Sequence, residues 1–161
     1  MNLESVDHER YMREALLEAH NALARGDRPI GAVIVHNAQI LGRGSNAYRS
    51  EKSNIEHAEM RALKSCAQFL QEHGQECVIY TTVEPCLMCL GAIVMCEINS
   101  IVFGIHDNWI KPRLAVENVP HLAKRIHNYL GGVLEAECAQ LYKQFSKKEY
   151  EMMKTGIKKP S

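Results

Sequence analysis

Hydrophobic residues recur at helical spacing in some segments of the chain and form short continuous runs in others. Each change between these two patterns marks the boundary of a predicted helix or strand. Apolar residues recur at helical spacing over residues 8–25, which predicts an amphipathic first helix that Gly26 ends. Apolar, β-branched runs follow at residues 30–36 and 39–44. The Asn37-Ala38 turn between these two runs predicts a β-hairpin.

The rest of the chain alternates strands with helices. The predicted strands are the apolar runs at residues 77–82, 100–104 and 126–134. The predicted helices cover residues 57–73, 86–97 and 135–154. The proline-containing segment 105–120 is predicted to be a long loop of the kind that carries function. This order predicts an α/β domain with helices on both faces of a mixed sheet.

Composition and charge narrow the class of protein. The 161 residues are 46% hydrophobic and 24% charged, which is typical of one globular domain and excludes disordered and collagen-like chains. We predict a single domain over residues 1–154 and a flexible tail over residues 155–161. Nineteen basic residues balance nineteen acidic ones, which argues against a protein that mainly coats nucleic acid or anionic membranes.

The chain shows no membrane or export signal. Residues 1–10 have no apolar segment typical of a secretory signal, and the longest apolar run, residues 86–96, is far shorter than the roughly 20 residues that span a bilayer. We therefore predict a soluble, cytoplasmic protein with no membrane partner. In a reducing compartment four of the six cysteines are expected to be small apolar core residues, namely Cys66, Cys77, Cys96 and Cys138.

The other two cysteines belong to the most informative pattern of the chain. Cys86 and Cys89 follow Pro85 at i, i+3 spacing, so a helix starting there places both sulfurs on one face near unpaired N–H groups that favour thiolates. His57 would add a nitrogen, and three protein ligands leave the fourth position of zinc open, which is typical of catalytic sites. Glu59 is a poor ligand beside thiolates, but it suits proton transfer.

Each part of this pattern has an ordinary alternative. A lone CxxC pair also occurs in redox proteins and in halves of structural zinc sites, and a lone histidine is usually structural. The chain has no second CxxC pair to complete a zinc ribbon. The order H-x-E followed by P-C-x-x-C is instead the pattern of zinc-dependent deaminases. The combination therefore favours a catalytic zinc site.

On these motifs the sequence resembles the cytidine and deoxycytidylate deaminase superfamily. Within it, the chain is most similar to the bacterial tRNA adenosine deaminases and the small guanine and cytosine deaminases. Residues 29–35 match the first strand of the family, residues 44–46 the end of its second strand, and Gly91-Ala92 the helix after the zinc motif. The resemblance implies a three-layer α/β/α sandwich with a five-stranded mixed sheet.

The resemblance also implies a role for each matching residue. One catalytic Zn²⁺ per chain would be held by His57, Cys86 and Cys89, while Glu59 would carry protons during hydrolytic removal of an amino group as ammonia. Asn46 and the backbone of Ala58 would orient the base. An amide can both donate and accept hydrogen bonds, as a heteroaromatic ring requires, although Asn46 is equally suited to forming a turn.

The resemblance leaves the substrate open. Residues 105–118 are bulky where tRNA adenosine deaminases carry a glycine-rich loop, so we favour a free base or nucleoside of guanine, cytosine or adenine type. The alternative is a tRNA-specific adenosine deaminase, which the close match of the first 100 residues favours. A noncatalytic zinc module is less favoured because Glu59 is intact.

Two further expectations concern the loop and the assembly. Trp109, the single tryptophan, could stack on a base or close the pocket, or it could anchor the loop or a subunit interface. Members of the family form dimers or larger oligomers, so we predict a homodimer. Residues 87–95 could contribute an apolar face to its interface.

Overall fold

A computed structural model describes residues 6–158 and shows five strands and eight α-helices in that part of the chain. The strands are β1 (Gly31–His36), β2 (Gln39–Ser45), β3 (Val78–Val83), β4 (Ser100–Ile105) and β5 (Asn128–Leu130). The helices are α1 (His8–Ala24), α2 (Ala58–Ser65), α3 (Ala67–His73), α4 (Leu87–Met95), α5 (Pro112–Asn118), α6 (Pro120–Arg125), α7 (Glu135–Phe145) and α8 (Lys147–Thr155). A 3₁₀ turn at Gly74–Glu76 follows α3.

The five strands form one mixed sheet, as predicted, and their order is β2-β1-β3-β4-β5. β1 is antiparallel to both β2 and β3, whereas β3, β4 and β5 run parallel to one another. The register between β3 and β4 pairs Val78 with Ser100 and Val83 with Ile105. Both strands therefore end at the same edge of the sheet, where the site residues that follow them come together.

Helices cover both faces of the sheet, which confirms the three-layer α/β/α sandwich. Alternate side chains of each strand enter opposite cores because successive residues of a strand point to opposite faces. The core beneath α1, α7 and α8 takes Val33, Val35, Val78, Tyr80 and Val102 from the strands. The core beneath α2 and α4 takes Ala32, Ile34, Ile79, Ile101 and Phe103.

Two of the predicted helices are each divided into two. The helix predicted at 57–73 breaks at Cys66, whose φ of −130° lies outside the helical region, into α2 and α3. The helix predicted at 135–154 breaks at Ser146, which has an extended backbone and caps α8 by accepting a hydrogen bond from the Glu149 N–H. The pattern S-x-x-E at 146–149 is a helix-start signal that lies within a continuous apolar stripe. The periodicity alone therefore overestimated the length of both helices.

Half of the predicted loop at 105–120 is helical, which corrects that prediction. Pro112 and Pro120 are the first residues of α5 and α6, where the missing proline N–H would have no intrahelical acceptor. The predicted strand at 126–134 shrinks to β5. A Cβ at Gly131 would collide with the ring of Phe103, so the chain after β5 lies directly on the core.

Two predictions concern the ends and the surroundings of the chain. The predicted tail begins at the last residue of α8, and residues 159–161 lie outside the described residues. Within residues 6–158, the structure contains no helix that is both long enough and apolar enough to cross a membrane.

Candidate active site

Three potential metal ligands meet at the starts of two helices. His57 is the N-cap residue of α2, Cys86 is the N-cap residue of α4, and Cys89 lies in the first turn of α4. The Nδ1 atom of His57 lies 3.5 Å from the sulfur of each cysteine. The two sulfurs are 3.6 Å apart. Of all the side chains in residues 6–158, this is the only group of three potential ligands found with donor atoms within 4.8 Å of one another.

These separations fit a zinc ion. Ordinary Zn–N and Zn–S bonds at tetrahedral angles place a nitrogen about 3.6 Å from a sulfur, and two sulfurs about 3.8 Å apart. The distances among His57, Cys86 and Cys89 agree with both values to within about 0.2 Å. One nitrogen and two sulfurs also leave one tetrahedral position open. The group could therefore hold a zinc ion of the catalytic kind.

The two thiols titrate differently. The hydrogen bond with Cys89 lowers the pKa of Cys86 to about 4; burial opposes this shift and the hydrogen bond with His57 adds to it. The same hydrogen bond, together with burial, raises the pKa of Cys89. A bound zinc ion would hold both cysteines as thiolates, so zinc binding would release any thiol proton that remains.

Glu59 is buried beside the ligand group. It lies in the first turn of α2, is only 4% exposed, and accepts hydrogen bonds from the Cys89 thiol at 3.5 Å and the Thr81 hydroxyl at 3.4 Å. Burial raises the pKa of Glu59 above that of a free carboxyl. Glycine in β2 makes this position possible, since a Cβ at Gly44 would collide with the Ala58 carbonyl oxygen. A close approach of α2 to β2 therefore places Glu59 at the metal group.

A cavity of about 250 Å³ opens beside these residues. It includes His57, Cys86 and Glu59, and four other positions singled out by the sequence or lying in its divergent loop, Asn46, Asp107, Trp109 and Ile110. The remaining lining residues were not assigned to the site from the sequence and are Arg28, Ile30, Val83, Glu84, Tyr142, Glu149, Met152 and Met153. They come from four separate stretches of chain, so no single short motif identifies them.

The candidate base-binding residues take different positions. The side-chain oxygen of Asn46 accepts the Tyr48 backbone N–H at 3.2 Å, so Asn46 both forms a turn and lines the cavity. Ala58 has no exposed side chain, but it is the first residue of α2, where a backbone N–H has no intrahelical acceptor. Trp109 lines the cavity with 44% of its surface exposed.

Two acidic residues that the sequence pattern did not single out position the loop of Trp109. Glu84 accepts the Asp107 backbone N–H and the Tyr129 hydroxyl, both at 2.8 Å. Asp107 in turn accepts the backbone N–H groups of Trp109 and Ile110, both at 2.9 Å. Burial raises the pKa of Asp107. Glu84, directly before Pro85, thus connects the zinc motif to the cavity rim through Asp107. Its acidic side chain next to that motif is the one feature of the sequence that could have indicated this role.

Comparisons with known proteins agree with this site. Residues 5–105 match the family model of the cytidine and deoxycytidylate deaminase zinc-binding region. The chain is 36% identical over 144 residues to the tRNA-specific adenosine deaminase of Bacillus subtilis (strain 168), covering 85% of this chain and 87% of that relative. It is 33% identical over 142 residues to the tRNA-specific adenosine deaminase of Buchnera aphidicola, covering 86% and 88%.

Solved structures show the same architecture. One from a study of A-to-I editing by tRNA:A34 deaminases at the wobble position of transfer RNA has a TM-score of 0.68 and 30% identity, covering 82% of this chain and 98% of that one. The guanine deaminase from Nitrosomonas europaea has a TM-score of 0.69 at 20% identity, covering 85% and 83%, and so shares the fold. Fold, metal group and sequence agree that this chain belongs to the cytidine and deoxycytidylate deaminase family of zinc-dependent enzymes, which hydrolytically deaminate nucleobases or nucleosides.

Proposed function

We propose that this enzyme is a tRNA-specific adenosine deaminase that converts an adenosine of the anticodon loop to inosine. The observation that carries the proposal is the identity of 33–36% to relatives named for that activity, over about 85% of the chain. The likeness to guanine deaminase, at 20% identity, extends to the fold alone. This reverses the preference for a free base or nucleoside that the sequence suggested.

Only the first part of the segment that favoured a free base lines the cavity. From Pro112 onward the divergent segment forms α5, which packs against α4 and α6. Only Asp107, Trp109 and Ile110 of residues 105–118 line the cavity. Half of the unusual sequence therefore encodes a helix outside the cavity lining, and that half gives little information about the substrate.

The size of the cavity supports a single flipped-out base. Its volume of about 250 Å³ lies just below the range of about 300–1,000 Å³ that is typical of pockets for whole ligands. Enzymes that act on a base within a nucleic acid extrude that base into a close-fitting pocket. The ribose and the phosphates would then remain at the rim of the cavity.

The side chains support a division of roles in the reaction. Zinc held by His57, Cys86 and Cys89 would lower the pKa of a bound water towards about 7. Glu59 would accept a proton and pass it to the departing amino group, a transfer that a buried carboxyl with a raised pKa can make in both directions. Asn46 would bind a ring edge of the base.

We further propose that Trp109 stacks on the base or on a neighbouring nucleotide at the rim. Its ring is partly exposed at the cavity, and stacking on aromatic side chains is worth about 1–3 kcal/mol per base. Trp109→Ala should therefore raise KM for the substrate, as steady-state kinetics would measure. Unchanged KM and kcat would leave Trp109 as an anchor for its loop.

The test is a panel of substrates for the purified, zinc-loaded protein. Ammonia release and inosine formation would be measured with an anticodon stem-loop RNA, the same RNA with guanosine at the target position, and the free bases, nucleosides and nucleotides. We expect deamination of the adenosine-containing RNA, weakening as salt rises because phosphate contacts release counterions. Glu59→Gln is the control for the catalytic site. Ammonia from a free base or nucleoside and none from the RNA would refute the proposal.

A further inference from the structure

One wall of the cavity comes from a helix that the family motifs do not include. The family model ends at residue 105, whereas α8 contributes Glu149, Met152 and Met153 to the cavity lining. The helix therefore supplies both apolar surface and a carboxylate to the space beside the metal group. Whatever holds α8 in place also determines the shape of that space.

An ion pair holds the start of α8. The Nε of Arg28 donates to a carboxylate oxygen of Glu149 at 2.9 Å, and the Tyr142 hydroxyl donates to the same oxygen at 3.3 Å. The Arg28 guanidinium also lies over the Tyr48 ring, with its carbon 5.2 Å from the ring centre. Arg28 comes from the connection between α1 and β1, so this contact joins chain segments that are 121 residues apart.

A second contact holds the end of α8. The Asn108 backbone N–H donates to the Met153 carbonyl at 2.8 Å, and the Asn108 side-chain amide donates to the Lys154 carbonyl at 2.7 Å. Both carbonyls belong to the last turn of the helix, where no intrahelical donor remains. Asn108 precedes Trp109, so the end of α8 and the cavity rim are fixed together. α8 is thus attached at both ends to segments that line the cavity.

We propose that Arg28 is a positioning residue for the substrate, which acts by holding α8 as the cavity wall through its ion pair with Glu149. A base in the cavity then packs on a wall that is already ordered before binding, which reduces the entropy lost on association. The ion pair lies outside the zinc motifs, so its loss should weaken binding while leaving the chemical step nearly unchanged. The proposal rests on the proposed function only for the identity of the substrate.

The test compares Arg28→Gln and Glu149→Gln with a matched control. Arg43 and Glu14 form another ion pair between distant segments, at 2.6 Å and with similar exposure, away from the cavity lining. We expect Arg28→Gln and Glu149→Gln to raise KM for the stem-loop RNA about tenfold, or about 1.4 kcal/mol, with kcat within about twofold. Arg43→Gln should leave both constants unchanged.

Hydrogen exchange of α8 provides a readout that needs no substrate. In the zinc-loaded protein, amides of residues 147–155 should exchange faster in Arg28→Gln than in the wild type or in Arg43→Gln. The exchanged pair, Arg28→Glu with Glu149→Arg, should restore slow exchange and a low KM. Unchanged exchange in Arg28→Gln, or a fall in kcat at constant KM, would overturn the proposal.

A failure of the proposal for Arg28 can be distinguished from a failure of the proposed function. If the stem-loop RNA is not deaminated, the same kinetic comparison would use whichever base or nucleoside releases ammonia in the panel. Faster amide hydrogen exchange of α8 in Arg28→Gln than in the wild type can be measured without any substrate.

Discussion

Glu59 is the residue on which the proposed chemistry depends. It is buried, its pKa is raised, and it lies against a proposed metal ligand, Cys89, although it is not itself one of the three proposed ligands. Burying a carboxylate lowers the stability of the fold unless strong hydrogen bonds or an opposite charge compensate, so a poorly compensated one is often functional. Its two hydrogen bonds, to a thiol and a hydroxyl at 3.4–3.5 Å, are long. This arrangement favours a proton carrier over a structural group.

Glu59→Gln should separate metal binding from catalysis. The amide keeps the shape of the side chain but cannot transfer a proton, so we expect one zinc per chain and a loss of roughly 10²–10⁴-fold in kcat. Metal analysis and ammonia release measure the two effects. Full deaminase activity in a zinc-loaded Glu59→Gln protein would show that the proposed mechanism is wrong.

Asp27 is another buried carboxylate, and its role is structural. It accepts the backbone N–H groups of Arg49 and Ser50 at 2.7 and 3.0 Å and the Ser50 hydroxyl at 2.6 Å. Burial alone would raise the pKa of Asp27, but these hydrogen bonds and the charge of Arg25 outweigh it and hold the pKa below its usual value. Asp27 thereby ties down the segment that follows Asn46.

Asp27→Asn should destabilise the protein in a pH-dependent way. A depressed pKa means that the charged form stabilises the fold above the ordinary carboxyl pKa of about 3.9, and that this stability is lost as pH falls through the lower folded value. We expect the variant to lose about 1.5–3 kcal/mol in the free energy of unfolding at neutral pH. Urea unfolding at several pH values measures this. The difference from wild type should shrink below about pH 4.

At the scale of elements, α2 and α4 both begin at proposed zinc ligands. Each helix presents its first N–H groups and the positive end of its dipole to the metal group, which favours thiolates there. Zinc would tie the starts of the two helices to each other. Its removal should therefore loosen both helix starts together.

Cys86→Ser and Cys96→Ser test this arrangement as a matched pair. Both residues are half-buried thiols on the ends of α4, but only Cys86 belongs to the metal group. We expect one zinc per chain in wild type and Cys96→Ser, and loss of zinc in Cys86→Ser. Chelation of the wild-type protein should speed hydrogen exchange at the starts of α2 and α4. Zinc retained by Cys86→Ser would contradict the ligand assignment.

Ser146 determines where α7 ends and α8 begins. Ser146→Ala removes the cap on the Glu149 N–H, so we expect a loss of about 1 kcal/mol in the free energy of unfolding. Ser146→Asp, which keeps a capping oxygen, is the control and should retain most of the stability. Chemical denaturation of the three proteins makes the comparison. Equal stability of the alanine variant would mean that packing alone sets this break.

At the scale of the whole molecule, the outer face of α4 leaves apolar side chains exposed. Leu87 is 54% exposed and Met95 77%, and Leu114 of the neighbouring α5 is 55% exposed. Such a patch is typical of interaction surfaces, and it continues the prediction of a homodimer from the sequence. A dimer through this face would bury the helix that begins at the proposed zinc ligand Cys86.

Met95→Lys should therefore convert a dimer into a monomer. We expect light scattering at micromolar concentration to give a dimer for the wild type and a monomer for the variant. Leu17→Lys, at a position on α1 that is 55% exposed, is the control and should remain dimeric. A monomeric wild type would remove the oligomer prediction.

The fold class and the group of potential metal ligands could both be predicted from local patterns in the sequence. The fold class follows from the order of the apolar strand runs, such as β1 and β3, and the amphipathic helices, and i, i+3 spacing places Cys86 beside Cys89. These are local relations, so a linear pattern contains them. The helical spacing of apolar residues did not reveal the breaks at Cys66 and Ser146, because an apolar stripe can continue from one helix into the next.

The walls of the cavity, in contrast, are formed by contacts between segments far apart in the sequence. Arg28, Asp107 and Glu149 meet there because β3 and β4 end at one edge of the sheet while α8 folds back to the α1–β1 connection. Such contacts join residues far apart in the chain and have no period for a sequence pattern to reveal. The reaction can therefore be predicted from local motifs, whereas the shape of the substrate site depends on long-range packing.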